Sequence, residues 1–193
     1  MNEAFNSNHP VTIYISAASD LMAEREALGR MIANLPVTLV WRIVQTPLGA
    51  EPLDLEAVRR ADLYFLALGS DIRAPVGLEW YTAFQARRPI YAFLKQGLAR
   101  TMAGQAFARD TGVDWQPFTD TADLSRQVER LLAENLLRHA GRYVLTPVEL
   151  EALTALLASH QEREQSATGE GTGHSAVILS RERYLPSEGV IVD

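Results

Sequence analysis

Cysteine is absent from all 193 residues, which excludes disulfides, thiolate-held metals and cysteine nucleophiles and fits a reducing compartment. Histidine is scarce: His9, His139, His160 and His174 stand far apart, without metal-ligand spacing, so neither a metal nor a resident cofactor is expected. Long apolar runs are missing too. Nothing approaches the roughly 18 residues that span a bilayer, and the opening MNEAFNSNHP has no apolar signal segment. A cytoplasmic protein without membrane contact is the expectation. Positive charge is in deficit, with 18 Lys and Arg against 24 Asp and Glu and a formal net charge of −6. That argues against general nucleic-acid binding, which rests on clustered cations, while leaving room for a local basic pocket.

What is present is a chain long enough for one ordinary domain plus an extension. Short apolar runs alternate with helical patterns. The runs at 11–16 (VTIYIS), 37–44 (VTLVWRIV), 62–68 (DLYFLAL), 90–95 (IYAFLK) and 114–118 (DWQPF) read as strands. Between them lie a helix over about 21–35, striped by Leu21, Leu28, Ile32 and Leu35, a short helix over LEAVRRA, a helix around Glu79 and a polar helix over about 98–110. Repeated β-α alternation with short connections predicts a five-stranded parallel sheet covered on both faces.

Two further helices follow. Leu124, Val128, Leu131, Leu132 and Leu136 mark the first; the second starts with Thr146 as N-cap, Pro147, and Glu149 placed to complete a capping box. Its stripe of Leu150, Leu153 and Leu157 is expected to pack on the preceding helix. Residues 165–175 (QSATGEGTGHS) read as a linker. Beyond it, AVILS and EGVIV in 176–193 read as strands or a hairpin, which is marginal alone and is expected to pair with a sheet edge of this domain or of a partner. The divisions are thus a flexible 1–10, an α/β domain over 11–137, a helical extension over 138–164, the linker and the tail.

Open α/β sheets take ligands beyond the carboxyl ends of their strands. With strand order 2-1-3-4-5, SAASD at 16–20 and the stretch from Gly69 and Ser70 to Glu79 face each other at the reversal point. Glu79 reads either as an acid placed in a helix's first turn by the helix dipole or as a group facing a ligand. Ala83 and Ala86 share its face and permit close helix–sheet approach. Ser16 and Ser19 read as phosphate donors or as loop closure, and Asp20 as ligand contact or helix cap. Arg25, which interrupts an apolar stripe, reads as a carboxylate's partner or an anion's.

The segments IYISAASDLMAERE and ADLYFLALGS…VGLEWYTAFQARRPIYAFLK resemble a bacterial family of TIR-like domains that open with a strand, Ser-Ser or Ser-Ala, Asp-Leu and Glu-Arg. They are more distantly similar to TIR domains and nucleoside 2-deoxyribosyltransferases. The likeness spans about 11–137 and implies a flavodoxin-like sheet. In the enzymatic relatives it implies N-glycosidic bond cleavage by a glutamate at the start of the helix that holds Glu79, with NAD as a candidate substrate. Ser16, Ser19, Asp20, Arg25, Gly69 and Ser70 would line the pocket. Signalling or defence, exercised as a homo-oligomer, is the implied setting. The sequence departs from the pattern at Pro75, where TIR enzymes carry Ser or Cys, and at Gly77, where the TIR-like family often has a second acid. A non-catalytic interaction module docking through its tail is the alternative, and nucleoside deoxyribosyl transfer a second.

Overall fold

A computed structural model describes residues 10–49 and 51–169; the tail expected at 176–193 lies outside them. In chain order the elements are β1 (Val11–Ala17), a single 3₁₀ turn (Ser19–Leu21), α1 (Met22–Ala33), β2 (Trp41–Gln45), α2 (Leu55–Arg60), β3 (Leu63–Leu68), α3 (Ala74–Gln85), β4 (Ile90–Lys95), α4 (Met102–Asp110), β5 (Trp115–Phe118), α5 (Thr121–Arg138), α6 (Ala140–Tyr143) and α7 (Pro147–Gly169). The strands form one parallel sheet in the order β2-β1-β3-β4-β5. This is the parallel, doubly covered sheet that the alternation predicts, in the flavodoxin-like strand order that the resemblance implies.

Side chains alternate across a strand, and each face of β1 feeds its own core. Ile13, Ile15 and Ala17 pack with Leu28 and Ile32 of α1, with Leu124, Val128, Leu132 and Leu136 of α5, and with Leu153 of α7. Tyr14 joins Ala57 and Val58 of α2 and Val76 and Ala83 of α3 on the other face, beside Tyr64 and Leu66 of β3. Burial on both faces leaves every residue of β1 and β3 buried, which is why they read as continuous apolar runs.

The structure departs from the sequence reading at several boundaries. β2 starts at Trp41, not Val37. The preceding stretch makes a different bond: Thr38 donates its amide and its hydroxyl to Glu149 Oε1, at 2.5 and 2.7 Å. α3 starts at Ala74, with Pro75 in its first turn and no acid there. Glu79 therefore lies in the second turn, where the dipole account of its presence loses force. α4 starts at Met102, because the Thr101 hydroxyl caps the Gly104 amide at 3.0 Å. α7 is described through Gly169.

The capping box forms as the sequence implies. Thr146 donates its amide and hydroxyl to Glu149 Oε2 at 2.7 and 2.8 Å, and the Glu149 amide donates to Thr146 Oγ1 at 3.3 Å. α7 then lays Leu153 and Leu157 of the expected stripe, with Leu156, on the core shared with α5; Leu150 is half-buried outside that cluster.

Candidate active site

Tyr14 and Ser16 project from the same face of β1, two residues apart. Thr46 follows β2 directly, and Glu79 comes down from the second turn of α3, flanked on its inward face by the buried Val76 and Ala83. Small and branched residues there let the helix approach the sheet closely enough for direct contact. Tyr14 Oη donates to Glu79 Oε1 at 2.7 Å. Ser16 Oγ and Thr46 Oγ1 donate to Oε2 at 2.5 and 2.6 Å. Thr46 is itself held by the Ala17 amide, which donates to its hydroxyl oxygen at 3.1 Å.

Glu79, Ser16 and Tyr14 are 0% exposed, so the carboxyl is out of reach of bulk water. Burial pushes its pKa above the usual carboxylate range, against the pull of the Ser16, Thr46 and Tyr14 hydroxyls and the Arg25 charge. Tyr14 is driven far above the ordinary phenol range, first by burial and then by the charge of Glu79. Tyr64 stacks on Tyr14 with ring centroids 5.8 Å apart.

Arg25 reaches the cluster from α1. Its Nη2 donates to the Thr46 carbonyl and to Gln45 Oε1 at 3.3 Å, and Gln45 Nε2 returns a bond to the Arg25 carbonyl at 3.1 Å. Burial lowers its pKa below the ordinary guanidinium value.

The other candidates form a separate device. Asp20 Oδ2 accepts from the Ser70 amide at 2.7 Å and from its hydroxyl at 2.6 Å. Asp20 is exposed, and Gly69 is buried against it. Ser19 is exposed and joins neither group. The structure thus brings Ser16 and Arg25 to Glu79, but gathers Asp20, Gly69 and Ser70 into a loop clamp of their own. Among the described residues no cluster of three or more His, Asp or Glu is arranged to hold a metal ion, and no helix is long and apolar enough to cross a membrane.

The sequence matches no family model and no curated protein. Among solved structures the chain is similar to the CMP N-glycosidase BcmB of Clostridium botulinum, with a TM-score of 0.44 and 14% identity, over 61% of this chain and 98% of that one. The architecture stands on the strand order and the site on its own geometry.

Two members of the cluster escaped the sequence reading. Tyr14 is signalled by strand periodicity, since it must share a face with Ser16, and Thr46 by its place at the carboxyl edge of β2. Chemically, the cluster is an acid whose ionised form is supported by three O–H donors and a nearby guanidinium. Held in a low-dielectric interior, such a carboxylate interacts strongly with any cationic centre brought to it.

Proposed function

We propose that the protein cleaves an N-glycosidic bond in NAD or a related nucleotide, with Glu79 as the carboxylate that meets the reacting sugar. In this reaction the bond from C1′ to the base nitrogen breaks and its electron pair leaves with the base. The ribosyl centre becomes oxocarbenium-like, an adjacent carboxylate stabilises or traps it, and water completes the hydrolysis. The observation that carries the reading is a fully buried glutamate held by Tyr14, Ser16 and Thr46 at the carboxyl edge of a doubly wound sheet, where ligands bind in such folds. A buried acid there has a use that a surface acid on a helix lacks. The TIR-like resemblance of the Ser16 and Glu79 segments points the same way, and with it come the proposals of a signalling or defence role and a homo-oligomeric working form.

The test is base release. Unmodified protein and Glu79→Gln are incubated with NAD and with ribonucleoside monophosphates over a wide range of protein concentration, because the proposed working form is a homo-oligomer. Release by the unmodified protein, lost in Glu79→Gln, supports the reading. No release from any substrate at any concentration ends it.

One observation favours a second reading. Glu79 is 0% exposed and accepts from three hydroxyls, so it already serves as a staple joining β1, β2 and α3. On this reading the domain is a non-catalytic interaction scaffold. Full fold stability that depends on Glu79, together with an absence of base release, is its signature.

A further inference from the structure

The Arg25 side chain is 4% exposed, yet its guanidinium is only partly used. Nη2 meets the Thr46 carbonyl and Gln45, whereas Nε and Nη1 are buried and meet no acceptor among the described residues. No carboxylate among them stands within ion-pair distance. Glu24, its neighbour on α1, is taken by Lys95 at 2.7 Å, and the Glu79 oxygens receive the Tyr14, Ser16 and Thr46 hydroxyls. A buried guanidinium with open N–H groups is costly unless an acceptor fills them, and an anion fills them best. Its position also matters. Thr46 gives its carbonyl to Arg25 and its hydroxyl to Glu79, so cation and acid are joined through one residue at the carboxyl edge of β2.

We propose that Arg25 is the phosphate-holding residue of this site: its Nε and Nη1 hydrogens bind oxygens of a sugar phosphate, so the site selects phosphorylated nucleotides over free nucleosides. The sugar's identity rests on the N-glycosidase reading; the phosphate rests on the open guanidinium. Arginine suits the task because its planar fork presents several donors at fixed angles.

The test is calorimetric titration of the unmodified protein with ribose 5-phosphate, ribose and inorganic phosphate. Ribose 5-phosphate is expected to bind about tenfold or more tightly than ribose, the scale of a charge-assisted hydrogen bond, and inorganic phosphate to compete with it. Arg25→Gln removes the preference. Arg163→Ala leaves it intact, because Arg163 lines a separate cavity of about 420 Å³ shared with Arg126, Arg130 and His160. Equal affinity for the two sugars, or no binding of either, overturns the proposal. So does a preference that survives Arg25→Gln or vanishes in Arg163→Ala. If Arg25→Gln does not fold, the unmodified protein still decides. Its Arg25 Nε–H resonance shifts on adding ribose 5-phosphate but not ribose, and an unmoved resonance overturns the assignment. Base release without preference for nucleotides removes this inference and leaves the N-glycosidase reading standing. Phosphate held by Arg25 with no base release does the reverse.

Discussion

Tyr14 and Glu79 lie 65 residues apart in the chain and meet through a buried hydrogen bond of 2.7 Å between the phenol and the carboxyl. The bond joins the centre of β1 to the second turn of α3, and with Ser16 and Thr46 it makes the acid a structural junction as well as a candidate reactive group.

Removing the acceptor has a stability cost that is separable from any activity. In Glu79→Ala the Tyr14, Ser16 and Thr46 hydroxyls lose their shared partner inside the core. At about 1 to 3 kcal/mol for a buried polar group left unpaired, with partial relaxation, the expected loss is about 2 to 5 kcal/mol in urea unfolding. Glu79→Gln keeps one acceptor oxygen and is expected to lose less. The pH dependence separates the two as well. A carboxyl held above its unfolded value keeps a proton that the unfolded chain gives up, so its contribution falls as pH rises above about 4.5. That downward slope is expected to be missing in Glu79→Gln; an unchanged slope assigns it to other groups.

Glu149 acts in the opposite sense. Amide donors from Thr38 and Thr146, with the Thr38 and Thr146 hydroxyls, hold its carboxyl down to about 2. Its contribution is complete above the unfolded value near 4.5 and is lost as pH falls from there through about 2. Glu149→Gln is therefore expected to flatten the acid limb of a stability-against-pH curve between those values and to lower stability at neutral pH. Identical acid limbs for the two proteins would show that the Thr38 contact is without thermodynamic weight.

Gly69 is needed for close approach. A Cβ there would lie 2.4 Å from Asp20 Oδ2, 3.0 Å from Asp20 Cγ and 3.2 Å from Leu21 Cδ2. Gly69→Ala is expected to displace the Asp20 carboxylate from Ser70 and to cost about 1 to 2 kcal/mol, the scale of the hydrogen bonds lost. The same substitution made after Asp20→Ala is expected to cost markedly less, because both changes act on one contact. Additive losses in that double-mutant cycle would place the clash elsewhere.

The parts of the fold legible in the sequence are those set by local pattern. β1 and β3 announce themselves because both faces are buried, and α7 because Thr146, Pro147 and Glu149 spell out a cap. The start of β2 was not legible. Val37 to Val40 has strand composition, but the Thr38 amide goes to an acid 111 residues away, and no local signal carries that information. The site divides in the same way. Ser16 and Glu79 could be paired from topology alone, whereas the separation of Asp20 from Glu79 depends on Asp20 turning to Ser70. The open Nε and Nη1 of Arg25 depend on where Glu24 and Glu79 found their own partners.

The reach of Glu149 to Thr38 has a last consequence. One side chain closes the first turn of α7 and anchors the approach to β2, while Leu153 farther along the same helix enters the main core. Trimming the protein to the α/β portion alone would strip a wall from that core and release the edge strand's entry. α7 is therefore expected to unfold together with the sheet, and melting curves recorded from probes in α7 and in β1 should superimpose.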